Sequence, residues 1–174
     1  MNNNNALLIN DMQQEDGFVL EHFDKVVANT AYLLDTARQQ RVPILYTRHI
    51  NQADGNDLPR GEPRACDGGP SGYRAGTRQV EIIERLAPRP DEAIIDKGRY
   101  SAFHRTDLDA RLKALDVDTL IISGVLTDVC VLTTVFDAFA LGYHTRLVCD
   151  ACTTTTLAGH YSALLIMVNW VYSL

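Results

Sequence analysis

The chain has 174 residues, 46% hydrophobic and 22% charged, the balance of an ordinary globular domain with room for a full-sized core. A formal net charge of −6 excludes a broad nucleic-acid surface, because phosphate binding needs clustered cations and no basic, aromatic-interleaved window is present. The start, "MNNNNALLIND", lacks the basic and apolar regions of a signal peptide, and the most apolar window, "SALLIMVNWVYSL", falls short of the ~20 residues of a membrane span.

In chain order, residues 6–10 read as a short strand that ends at Asp11. Phe23, Val26, Val27, Thr30, Ala31, Leu34 and Ala37 recur at helical spacing and predict a helix through Gln40. "VPILYT" (42–47) is the next strand. Residues 49–76 are rich in Gly, Pro and Asp without periodicity, and a loop that long is usually functional. A helix is predicted over 78–86, then the strand "EAIID" (92–96) ending at Lys97, then a helix from 106 to 115 with Thr106 as N-cap. "DTLIIS" (118–123) is a strand; Val131, Val135, Ala138, Phe139 and Gly142 mark the helix after it; "TRLVC" (145–149) is another strand. The closing window 162–174 reads as a buried helix followed by a short final strand. Alternating strands and helices imply parallel strands covered on both faces. The expectation is one domain over residues 1–174, a three-layer α/β/α, Rossmann-like fold with a parallel sheet of five or six strands.

In open α/β sheets, ligands bind beyond the carboxyl ends of the strands. Those ends carry Asp11, His49, Lys97, Cys130 and Asp150. A carboxylate can take a thiol proton, an ammonium can hold the carboxylate ionised, and a thiolate can attack a carbonyl carbon. Thr127 and Asp128 suit an N-cap region, which puts Cys130 in a first helical turn, where free N–H groups and the helix dipole favour the thiolate. A thiol pKa below the reference of ~8.5 is therefore expected. Cys66, Cys130, Cys149 and Cys152 do not form the paired CxxC units of a zinc cage, and they imply reduced thiols in the cytoplasm. Cys149 is expected to be packed and Cys66 to lie exposed on the loop.

At these residues the sequence resembles the isochorismatase-like cysteine hydrolases, a family that includes nicotinamidases, N-carbamoylsarcosine amidase and ureidoacrylate amidohydrolase. The resemblance rests on "LLINDMQ" (7–13), "DKGRYSAFHRTDLDARL" (96–112), "DTLIISGVLTDVCV" (118–131) and "DAFALGYHTRLVCDAC" (137–152). It implies that Asp11 is the general acid/base, Lys97 its partner and Cys130 the nucleophile. It also implies a cis peptide between Val125 and Leu126, and an oxyanion hole made by the N–H groups of Leu126 and Cys130. Gln13, Phe18, His49, Tyr100, Phe103 and Arg105 are candidates for substrate binding, with Arg48 and Arg74 as further clamps for a substrate carboxylate.

Two departures narrow the chemistry. Nicotinamidases of the family carry a metal site built from an Asp-x-His pair and a further His, whereas "YTRHINQADGND" offers His49 alone. No metal and no cofactor are expected. Isochorismatases proper replace the nucleophile, and Cys130 is present, so hydrolysis of a small amide or of a carbamoyl or ureido C–N bond is the better reading. The alternatives are isochorismatase-type or nicotinamidase activity, or an inactive member that only binds. A receiver domain would need an acidic pair after strand one, where Asn10 stands beside Asp11; a dinucleotide enzyme would need GxGxxG, which "NDMQQEDG" lacks. The expected partners are a small-molecule substrate and further copies of the chain, as homodimer or homotetramer, with neither nucleic acid nor membrane.

Overall fold

The computed structural model describes residues 4–14, 17 and 19–171. Five strands, β1 (Asn5–Asn10), β2 (Ile44–His49), β3 (Ala93–Lys97), β4 (Thr119–Val125) and β5 (His144–Thr153), pair in parallel in the order β3-β2-β1-β4-β5. The helices are α1 (Phe23–Gln39), α2 (Leu108–Ala114), α3 (Leu132–Ala140) and α4 (Leu157–Trp170).

Strand pleating explains the layers. Leu7 and Ile9 of β1, with Ile44 and Tyr46 of β2, point to the face packed by Val26, Leu34 and Ala37 of α1. Their neighbours Ala6, Leu8 and Leu45 point the other way, onto Leu108 and Leu112 of α2, Val135 and Ala138 of α3, and Ala163 and Met167 of α4. Side chains alternate with period two along a strand, so consecutive apolar residues feed two cores at once. This is the three-layer arrangement expected from the sequence, with five strands.

Several elements differ from their predicted form. Residues 78–86 are two single 3-10 turns, Arg78–Val80 and Glu84–Leu86, instead of one helix. The backbone between them runs extended beside the segment after β1: Gln14 N donates to Glu81 O at 2.8 Å and Ile83 N to Met12 O at 3.0 Å. Those bonds replace the i→i−4 ladder that a helix would need. β5 runs past its predicted end, and its register slips, Ile122 facing Leu147 but Gly124 facing Cys152. The slack between those pairs bulges outward, which leaves Cys149 exposed where a packed residue was expected.

α4 begins earlier than predicted, capped by Thr156, whose Oγ1 accepts from Gly159 N at 3.0 Å. It is not the buried helix expected. Only Ala163 and Met167 are buried, while Leu165 and Val168 are 64% and 66% exposed. The final strand falls on residues 172–174, outside the described residues. Among the described residues, no helix is long and apolar enough to cross a membrane.

Candidate active site

β1 is the central strand and the point where the strand order reverses, with β2 on one side and β4 on the other. Its carboxyl end is therefore where this kind of sheet opens a crevice. Asp11 sits there in a left-handed conformation, φ 53°, which short polar residues tolerate best. Its carboxylate is met from three directions. Lys97 Nζ, at the end of β3, lies 2.6 Å from Oδ2, with both side chains sealed from solvent at 0% and 2% exposure. Thr47 Oγ1 donates to Oδ1 at 2.7 Å, and Asn10 Nδ2 donates to Oδ2 at 3.3 Å. β3 lies two strands from β1, about 10 Å away, so only a long cationic side chain spans the gap.

Cys130 arrives from β4. The strand ends at Val125, the Val125–Leu126 peptide is cis, and Thr127–Val131 forms one wide π-helical turn before α3. Gly124 is needed where β4 leaves the sheet. Its φ is 128°, and a Cβ there would stand 2.0 Å from Asn10 O. A carboxylate oxygen of Asp11, a ring nitrogen of His49 and Cys130 Sγ lie within 4.8 Å of one another, all three residues buried.

The electrostatics correct one expectation. The Cys130 thiol is not lowered. Burial pushes it up to about 12, the Asp11 charge adds to that, and Lys97 only partly offsets them. For the Lys97 ammonium, burial alone acts downward, but Asp11 and Cys130 raise it above the ordinary lysine value. The resting site is thus a neutral thiol beside an ammonium–carboxylate pair.

His49 ends β2 and is held at two points by Gln13, whose Nε2 donates to His49 O at 3.0 Å and whose Oε1 accepts from His49 N at 2.7 Å. The Gln13 amide is thereby committed to the backbone. His49 is pulled down to about 4, first by burial and then by Lys97, so its imidazole is neutral at pH 7. A group lowered on folding stabilises the fold above its unfolded pKa and loses that contribution as pH falls, here from 6.5 towards 4. Stability should drop by about 2 kcal/mol between pH 7 and 5 from this residue. Urea melts of wild type and His49→Asn across that range should show a flatter profile for the variant, and parallel profiles would contradict the assignment.

The other candidates scatter. Tyr100, 52% exposed, stands 6.4 Å from the His49 ring, centroid to centroid, and lines the same cavity. Phe103 turns into the core and stacks on Tyr143 at 5.9 Å, because the segment after Lys97 is pinned to α3 by Ala102 N donating to Thr134 Oγ1. Arg105 is exposed with φ 55°. Arg48 is spent on Asp96 and Arg74 on Asp67, each through two hydrogen bonds. Asp150 lies exposed in the β5 bulge, and Phe18 is outside the described residues. Around the Asp11 carboxylate, sequence reading missed Asn10 and Thr47. Their signal was a polar side chain near the carboxyl end of a strand whose preceding residues are apolar.

A cavity of about 320 Å³ opens over His49, walled by Arg60 and Glu62 of the long loop and by Arg99 and Tyr100 after β3. Neither this cavity nor a larger recess of about 650 Å³ between that loop and the Arg78 turn is lined by Asp11, Lys97 or Cys130, and the recess lacks His49 as well. The smaller one is the candidate substrate pocket because its floor is the histidine that touches the cluster. Asp11, His49 and Cys130 are also the one trio among the described residues spaced to hold a metal ion. The fit is poor. Both oxygens of Asp11 already accept hydrogen bonds, and the Lys97 ammonium occupies the place beside it that a cation would take.

Residues 5–173 match the Isochorismatase domain family. The chain belongs to the isochorismatase family. Enterobactin synthase component B of Escherichia coli (strain K12) is 35% identical over 154 residues, 84% of this chain and 51% of that protein, so the chain spans about half the length of this relative. Nicotinamidase 3 of Arabidopsis thaliana is 31% identical over 92% of this chain and 78% of its own length. A solved structure of a cysteine hydrolase from Pseudomonas syringae pv. phaseolicola 1448A superposes with a TM-score of 0.85, at 31% identity, over 98% of this chain and 87% of that one. The fold is that of isochorismatase-like cysteine hydrolases, and this chain carries a cysteine at its candidate site.

Proposed function

We propose that this isochorismatase-family chain hydrolyses the C–N bond of a small amide, or of a carbamoyl or ureido compound, through a covalent thioester-type intermediate on Cys130. The observation that carries the reading is the convergence of Asp11, Lys97 and Cys130 from three strand ends into one buried cluster. Because the thiol is held neutral by burial, Asp11 takes its proton as Sγ adds to the carbonyl carbon. The N–H groups of Leu126 and Cys130 receive the developing oxyanion. Asp11 returns the proton to the leaving nitrogen, ammonia departs, and a water activated by Asp11 releases the acid and restores the thiol. Lys97, 2.6 Å from the carboxylate, holds Asp11 in place while it takes up and returns the proton.

The reading needs no metal. Ammonia release from a panel of primary amides, ureido acids and carbamoyl amines, with protein dialysed against a chelator, tests both parts together. Turnover should be undiminished by dialysis. Loss of activity that zinc, iron or manganese restores would return nicotinamidase chemistry to the front, and no release from any compound would count against hydrolysis.

The working form is a homodimer or homotetramer in a reducing, cytoplasmic setting. Leu157, Tyr161, Leu165 and Val168 form one exposed apolar stripe along α4, with Trp170 beside its end. A stripe of that size is costly to leave in water and suits a second copy of the chain. Light scattering at micromolar concentration should return at least a dimer mass, and a monomer mass would refute the assembly.

A further inference from the structure

The residues of the 320 Å³ cavity, together with the hydrogen bonds of its arginines, bear on what enters it. Arg99 is half-buried, and its guanidinium donates through Nη1 to Gly98 O and through Nη2 to Asp57 O at 2.7 Å. Both acceptors are backbone carbonyls, so they orient the planar fork without neutralising it. A guanidinium has five N–H donors, and at least two more remain for a ligand. Arg60, exposed on the long loop, lines the same cavity. Among the described residues, the arginines in ion pairs are Arg38, Arg48, Arg74 and Arg111; neither Arg60 nor Arg99 has a carboxylate partner. The acid lining the same cavity is Glu62, and among the described residues it too has no ion-pair partner. Two cations therefore face one anion around a floor of neutral His49.

That balance selects a ligand. An uncharged amide would leave the oriented Arg99 fork unsatisfied, and a dianion would meet Glu62. We infer that the substrate is a monoanion, an amide or ureido compound whose carboxylate docks on Arg99 and Arg60 while its C–N bond reaches Cys130. The inference rests on the hydrolase reading for the direction in which the substrate lies, but the anion site itself is a binding property. Lys97 links the two ends, because its Nζ donates to Arg99 O at 3.1 Å while pairing with Asp11, so the segment that places the ammonium also places the guanidinium. The Arg99 charge is felt at the floor as well. It adds, after burial and Lys97, to the lowering of His49. Bidentate pairing to a carboxylate is what a fixed guanidinium fork does best.

The test uses Cys130→Ala protein, which removes turnover, and calorimetry with two matched pairs: succinamate against succinamide, and ureidoacetate against ureidoacetamide. Each acid should bind at least tenfold tighter than its neutral partner, as a charge-assisted hydrogen bond allows. Arg99→Met should remove most of that preference. On the same background, Arg60→Met should weaken acid binding by roughly threefold and Glu62→Gln should strengthen it by a similar factor, both rim sites being solvent-screened. Opposite signs from neighbouring substitutions cannot come from damage to the fold. Acids that bind no tighter than their neutral partners, or rim variants that shift affinity in one direction, overturn the inference. Ammonia release by wild-type protein from the same compounds separates the two claims. Acid-selective binding without release from any compound leaves the anion site and removes the hydrolase, whereas equal release from acids and neutral amides does the reverse.

Discussion

Cys130→Ala should lower ammonia release on the order of 10⁴-fold or more, while costing no more than about 1–2 kcal/mol of stability. The asymmetry follows from position. Cys130 is small and 8% exposed, and its Sγ sits within reach of the Asp11 carboxylate. Asp11→Asn should be similarly inactive, because the neutral amide cannot take the thiol proton. Since burial holds the resting thiol up, iodoacetamide at neutral pH should label the exposed Cys66 and Cys149 before Cys130. Inactivation should then lag behind bulk labelling and track the Cys130 adduct, mapped by peptide mass. Activity that survives complete alkylation of Cys130 would end its role as nucleophile.

Lys97→Met should be the most destabilising single change at the site, by about 3–5 kcal/mol, because it leaves the Asp11 charge buried without its partner. Losing one member of a sealed pair costs more than the pair itself is worth. The double variant Asp11→Asn, Lys97→Met removes both charges and should recover much of that loss. Urea denaturation of the four proteins gives the coupling directly, and all three variants should be inactive. Additive losses would mean that the 2.6 Å pair carries no coupling and that Lys97 acts through packing alone.

The ends of the strands were the legible part of this protein. "LLIND", "IIDK" and "IISGV" are short apolar runs that stop at a polar or glycine residue, and their length and β-branched content mark them as strands. Parallel pairing then brings every carboxyl end to one edge of the sheet, where Asp11, Lys97 and the Cys130 turn gather. The cis Val125–Leu126 bond came from the family resemblance, since no local pattern announces it.

The rest was decided by groups far apart in the chain. The stretch 78–86 has the spacing of a helix, yet residues 12–14 take its backbone bonds, and periodicity cannot see a partner nearly seventy positions away. Gln13 looks like a pocket residue until His49 claims both ends of its amide. Arg48 and Arg74 look like free clamps until Asp96 and Asp67 close on them, while Arg99 emerges as the unpaired fork. The Cys130 thiol shows the same division. By itself the sequence set a cysteine at the start of a helical segment, a position that favours the thiolate. Only the tertiary structure put that sulfur out of water beside a carboxylate, and desolvation with like charge outweighs a helix end. Sequence determines what each segment buries along its own faces, whereas the charge state of a site depends on which distant groups the fold has enclosed with it.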